Sequence, residues 1–207
     1  MEAIVIFPTV IGTFDLDRSL TEEELSTINE ILKNVRRNQE NSTSTDYYVL
    51  DNPALKELKK FVTSSIDLFQ THIMEESTTL EITQSWLNIS KKNEFHHYHC
   101  HPNSYLSGVF YVNTDETDSI SFGSPINRET YYKTDYINNN LFNSTRWRVP
   151  SLQNRLLLFR SDIWHSTTPT QHDNRISLSF NTFFSGDFGD APGRTLLSSP
   201  YKWGNNN

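Results

Sequence analysis

Two hydrophobic rhythms divide the chain near residue 80. Thr21 and Glu24 form a capping box, and Leu25, Ile28, Ile31, Leu32 and Val35 follow at helical spacing, which predicts an amphipathic helix running to about Arg37. A second helix opens at Asn52-Pro53, keeps Leu55, Leu58, Phe61, Val62, Ser65, Ile66 and Phe69 on one face, and ends near His72. Ahead of both, the β-branched run Glu2 to Phe7, closed by Pro8, reads as an edge strand. Asn38 to Asp46 is polar and rich in turn formers and reads as an exposed loop, with a brief extended piece from Tyr47 to Leu50 after it.

Beyond that point short β-branched and aromatic runs are separated by polar turns. The predicted strands are Leu80 to Ile89, Glu94 to His101, Tyr105 to Asn113, Ser119 to Gly123, Thr130 to Thr134, Arg146 to Val149, Leu156 to Arg160, Trp164 to Thr168 and Arg175 to Phe184. Such a series predicts a mainly β sandwich or barrel with the two helices packed outside it. The chain divides into residues 1–79 (N-terminal strand and supporting helices), 80–184 (β core) and 185–207 (irregular tail), all within one domain. A length of 207 residues suits a jelly roll.

Composition narrows the partners. A net charge of -7 with no run of Lys and Arg argues against a nucleic-acid backbone. No stretch approaches the roughly 18 apolar residues of a membrane span. The single cysteine, Cys100, cannot form an internal disulfide, and the opening MEAIVIFP lacks the basic start of a signal peptide, so a cytoplasmic location is expected. Oligomeric state leaves no trace.

Four of the seven histidines fall within six positions of the segment FHHYHCHPNSYLSGVFYV. If that segment is extended, His97, His99 and His101 share one face, while His96, Tyr98 and Cys100 point the other way. Two imidazoles at i and i+2 can reach one metal ion, and His165, after an apolar run, is the candidate third ligand. Ten positions later the strand from Arg175 splits into an apolar face, Ile176, Leu178 and Phe180, and a polar one, Arg175, Ser177, Ser179 and Asn181. The polar face suits water, or a carboxylate held by the Arg175 fork with the Ser177 hydroxyl. The turn-rich Thr167 to Asn174 predicts a hairpin that sets His165 and Arg175 on neighbouring strands of one sheet.

The order His-x-His beside a Gly-Val-Phe-Tyr strand, then His165, then Arg175-x-Ser177, resembles the iron(II)- and 2-oxoglutarate-dependent oxygenases, whose core is a double-stranded β-helix (jelly roll). More narrowly, HCHPNSYLSGVFYV, LLLFRSDIWHS and RISLSFN resemble a branch known mainly from genome sequences, phage genomes included. The likeness covers roughly residues 80 to 184. It implies iron held by His99, His101 and His165, and 2-oxoglutarate bound through its distal carboxylate by Arg175 with Ser177 assisting. Tyr111, Ser107 and Asn181 would share the inward face if their strands keep register, with Asn88 on the preceding strand, and Tyr111, Asn181 and Asn88 are the candidate contacts to the co-substrate. The implied reaction couples oxidative decarboxylation of 2-oxoglutarate to hydroxylation of an unknown prime substrate by dioxygen, with no catalytic side chain beyond the ligands.

One departure stands out. His101 occupies the family's usual carboxylate position, so the donor set is neutral, the iron is more electron-poor, and zinc becomes an alternative occupant. His97 with His99 satisfies the same geometry, and His99 with His101 is preferred because it abuts the Pro102-Asn103-Ser104 turn. Two rival functions remain: a non-catalytic jelly roll stabilised by its metal, and a cupin-like metal oxygenase that does not use 2-oxoglutarate. The first fits a three-histidine set less well, since closed structural sites usually have four ligands and often thiolates, and the second gives no reason for Arg175-x-Ser177.

Overall fold

The computed structural model describes residues 4–124 and 137–198. Among these, the chain runs β1 (Ile11–Asp15), α1 (Glu22–Ile31), β2 (Val35–Arg37), β3 (Ser42–Ser44), α2 (Lys56–Leu68), β4 (Leu80–Ser90) and β5 (Leu106–Asn113). It continues with β6 (Ser119–Gly123), β7 (Arg146–Pro150), β8 (Arg155–Arg160), β9 (His165–Thr167), β10 (Arg175–Phe184), β11 (Asp187–Phe188) and β12 (Leu197–Ser198). Seven strands form one antiparallel sheet in the order β1-β8-β5-β10-β4-β3-β2, and three form a second in the order β7-β6-β9.

The larger sheet is covered on one face by the helices and on the other by the smaller sheet. β8 displays the division residue by residue: Leu156 and Leu158 join the core containing Leu58, Val62 and Ile66 of α2, while Leu157 and Phe159 join Ile120 and Phe122 of β6. Period-two alternation therefore feeds two cores at once. The stripe Leu55, Leu58, Val62, Ile66 and Phe69 is fully buried, each side chain worth about 1.5–3 kcal/mol of burial. At its start Asn52 Oδ1 accepts from the Ala54 N–H at 3.0 Å and Pro53 leads a single 3₁₀ turn; at its end Phe69–Ile73 closes as a π turn.

Thr21 Oγ1 accepts from the Glu24 N–H at 3.1 Å and Glu24 Oε2 accepts from the Thr21 N–H at 2.8 Å, the capping box read from the sequence. That helix stops at Ile31, short of Arg37, because Val35–Arg37 pairs with Ser42–Ser44 as a hairpin. The segment expected as an exposed loop, 38–46, thereby supplies an inner strand: Ser42 and Thr43 pair with Ile89 and Asn88, and Asn41, Thr43 and Ser44 are buried. The edge of β4 needed backbone partners, and a polar run met that need as well as an apolar one would. Of Tyr47 to Leu50, Tyr48 makes a single parallel bridge to Ser85, and Val49–Asp51 is a 3₁₀ turn.

Other expectations fail in the same local way. Ile4 to Phe7 lie outside any strand with Phe7 90% exposed, and the strand is instead Ile11–Asp15, paired with β8. The strand expected at Thr130 to Thr134 lies outside the described residues. The tail contains the β11-β12 pair. Trp147 and Trp164 are about half exposed. Among the described residues no helix is long and apolar enough to cross a membrane.

Candidate metal centre

The histidine segment is not the regular strand expected over Glu94 to His101. It lies along β9 through the hydrogen bonds Thr167 N–H to His96 O, His99 N–H to His165 O, His165 N–H to His99 O, and His101 N–H to Ser161 O, with a single bridge at His99. Three steps along the segment, from His96 to His99, face only two along β9, and strict alternation is lost. His96, expected to point away, consequently stacks on His99 with ring centroids 4.4 Å apart.

The bridge brings His165 to His99, and the next bonds bring His101 to both. Candidate ligand nitrogens of His99, His101 and His165 lie within 4.8 Å of one another, with Nε2 of His101 and His165 3.3 Å apart. His99 Nδ1 sits 2.7 Å from its own segment's His97 carbonyl, and His165 Nδ1 sits 2.9 Å from that of Ile163. A carbonyl can only accept, so both Nδ1 atoms carry the proton and both Nε2 lone pairs are free. Burial pushes His101 down to about 3 and His165 down to about 4, and lowers His99 as well, so the rings are neutral and available as ligands at neutral pH.

These rings stand at one side of a cavity between the two sheets that encloses about 570 Å³ of space free of protein atoms, part of it open to solvent. The polar faces of β4 and β10 form the other side: Trp86, Asn88 and Ser90 from one, Arg175, Ser177 and Ser179 from the other, with Tyr111 from β5. Arg175 is 7% exposed and tied across to the smaller sheet: its guanidinium donates to Asp118 at 3.2 Å, Thr168 O at 2.7 Å, Thr167 Oγ1 at 2.8 Å and Ser90 Oγ at 3.3 Å. Its Nε–H makes none of these bonds. Beside it the Tyr111 hydroxyl and Asn88 Oδ1 are buried without a hydrogen-bond partner. Burial holds the Tyr111 phenol up at about 12, so it stays protonated as a donor. Because Asn88 Nδ2 meets a hydroxyl, Ser179 Oγ, at 2.9 Å, rotating the amide would keep that contact and turn its N–H toward the cavity.

Of the residues singled out by sequence, His99, His101, His165, Arg175, Ser177, Tyr111 and Asn88 line this one cavity. Asn181 does not; it accepts from Ser107 Oγ at 2.8 Å and lines the adjoining outer recess with Arg36, Gln84 and Trp86. The predicted hairpin is also corrected, since β9 and β10 belong to different sheets. His165 and Arg175 approach the cavity from opposite sides because Pro169 to Asn174 crosses between sheets. Ser90 and Thr167 were missed although two-residue alternation from Asn88 and His165 points to each. Asp118, the buried partner of Arg175, carries no such signal.

Residues 84–181, a little under half of the 207, match the family model described as "Putative 2OG-Fe(II) oxygenase". Comparison with curated proteins gives no match. Among solved structures the chain is similar to the non-heme alpha ketoglutarate dependent epimerase SnoN of nogalamycin biosynthesis, at 14% identity and TM-score 0.64 over 95% of this chain and 87% of that one. A second SnoN structure, in complex with Fe3+, alpha ketoglutarate and nogalamycin RO, matches at 12% identity and TM-score 0.62 over 93% and 82%. A prolyl hydroxylase from Trichoplax adhaerens in complex with a hypoxia inducible factor peptide fragment matches at 14% identity and TM-score 0.59 over 83% and 82%. At such identities the likeness is one of fold, a jelly roll.

Proposed function

We propose that this chain is an iron(II)- and 2-oxoglutarate-dependent dioxygenase that hydroxylates an unidentified substrate, of the branch marked by His99-Cys100-His101-Pro102-Asn103-Ser104, with residues 80–184 as its catalytic core. The observation that carries it is the pairing, across one cavity, of three neutral imidazoles with a buried strip whose polar atoms left without a close hydrogen bond, the Tyr111 hydroxyl and Asn88 Oδ1, adjoin Arg175. The family-model match supports the same chemistry.

His99, His101 and His165 would hold the metal, a donor set that suits iron and leaves room for a chelating co-substrate. When bound, the iron supplies the activation of dioxygen that couples decarboxylation of the keto acid to oxidation of a C–H bond. The protein's part is placement. Backbone carbonyls of His97 and Ile163 fix the two imidazole tautomers. Tyr111 and Arg175 would receive the distal carboxylate, with Ser177 and Asn88 beside them, and Asp118 holds the guanidinium in position. The outer recess at Asn181 adjoins His99 and His101, so we place Asn181 toward the prime substrate.

The same Arg175–Asp118 pair favours one rival, because an arginine already matched by a carboxylate can serve as a tie between sheets in an enzyme that takes no 2-oxoglutarate. An anaerobic titration of iron(II)-loaded protein with 2-oxoglutarate separates the two. A visible charge-transfer band is expected, absent in His99→Ala and shifted to higher 2-oxoglutarate concentration in Arg175→Ala while iron still binds. Iron binding without a band would sink the oxygenase reading and leave the rival.

A further inference from the structure

The imidazoles of this segment form a second constellation. Candidate ligand nitrogens of His96, His97 and His99, the outer trio, also lie within 4.8 Å of one another, with His96 lining both the cavity and the adjoining recess. Ring centroids are 4.4 Å apart for His96 and His99, 5.1 Å for His96 and His97, and 5.0 Å for His97 and His99. We propose that these three residues are an outer divalent-cation site that competes with the inner trio for His99.

Two observations beyond proximity point to a ligand. His97 Nδ1 is buried and has no hydrogen-bond partner, a costly state for an imidazole nitrogen that a cation would relieve. The second concerns the amides behind His96. Asn38 Nδ2 lies 3.1 Å from Asn41 Oδ1 and 3.3 Å from His96 Nε2, while the buried Asn41 Nδ2 has no partner. Rotating both amides by half a turn puts Asn38 Oδ1 at the shared position. It then accepts from Asn41 and from His96 Nε2–H, the stranded donor is satisfied, and the His96 Nδ1 lone pair is released.

Competition follows from His99. Its Nδ1 proton is committed to the His97 carbonyl, so Nε2 is its one donor atom and can serve one ion at a time. The inner trio adds His101 and His165; the outer adds His96 and His97. Imidazole-only donors suit cobalt, nickel, copper and zinc, and carry no charge that would favour magnesium or calcium. An ion such as zinc, held at the outer site, withdraws His99 from the inner one. The inference concerns metal binding alone and stands whether or not 2-oxoglutarate is the co-substrate.

The test titrates cobalt(II) into His165→Ala and His101→Ala, each of which breaks the inner trio at a different place. Both are expected to keep one cobalt site, with ring N–H resonances of His96 and His97 shifted by the ion, and to lose it when His96→Ala and His97→Ala are added. Folded variants that bind no cobalt, or whose site survives the added pair, overturn the proposal. Should both variants fail to fold, the unmutated protein decides by imidazole nitrogen NMR. Zinc at saturation is expected to bind one ion per chain distributed between the two trios, shifting His96 and His97 in part, and no shift of either overturns the outer site. The 2-oxoglutarate band of the iron-loaded protein is unaffected by any of these failures.

Discussion

The two faces of β10 are both enclosed, yet against opposite things. Ile176, Leu178 and Phe180 close on the apolar stripe of α2, where each buried side chain contributes about 1.5–3 kcal/mol. Arg175, Ser177 and Ser179 turn into the cavity, where the Arg175–Asp118 pair returns little net stability because desolvation offsets its attraction. One strand thus holds the fold with its even-numbered side and holds a site with its odd-numbered side. Alternation of polar and apolar residues reads the same for a strand half in water as for one that walls an internal polar chamber. What tells them apart is the charge that is buried.

The largest effect should come from breaking the apolar side. Phe180 packs directly over Gly108 of β5, where an added Cβ would lie 2.2 Å from its ring, so the residue opposite it offers no side chain to fill the space it leaves. Phe180→Ala is expected to cost about 3–5 kcal/mol in denaturant unfolding, while metal affinity of the folded fraction stays unchanged. An equal loss of metal affinity would mean the two faces are not separable. Tyr111→Phe probes the polar side with no packing change. Its hydroxyl makes no close hydrogen bond and only a weak interaction with the Ser151 side chain, so melting temperature should change little while 2-oxoglutarate affinity falls about tenfold. A drop in stability without a change in affinity would contradict the placement of the co-substrate.

The smallest effect belongs to α1, which covers the apolar side. The Arg18 guanidinium, 2.7 Å from both Glu24 oxygens, holds that carboxyl below its usual value of 4.5. A depressed carboxylate pKa stabilises the fold above the unfolded value, and the contribution is lost as pH falls through the folded one. Glu24→Gln keeps the capping-box geometry and removes the charge. It should cost no more than about 1 kcal/mol at pH 7, with the difference from wild type closing below about pH 4. A difference that persists in acid would place the effect in packing.

Seven core strands from Leu80 to Phe184 were legible because β-branched runs between turns report burial directly. The capping box of α1 and the proline start of α2 were legible because both are local. Elements set by a distant partner were not. Ser42–Ser44 became a strand to meet the edge of β4, and Ile11–Asp15 to meet β8. At the site, the chemical types and order of His99, His101, His165 and Arg175 could be read. The crossing between sheets and the part taken by Asp118 depend on tertiary placement. The bulge that brings His96 onto His99 depends on hydrogen-bond register, which no residue type encodes.

The two mutual hydrogen bonds between His99 and His165 also have a colloidal consequence. β9 pairs with β6 on one side, and on its other side the histidine segment takes up the backbone groups of His165 and Thr167. Those groups would otherwise form an open strand edge, the surface on which chains zip together into aggregates. The segment that presents the imidazoles is thus also a guard rail, and sequences that loosen it should first betray themselves as a protein that will not stay dispersed.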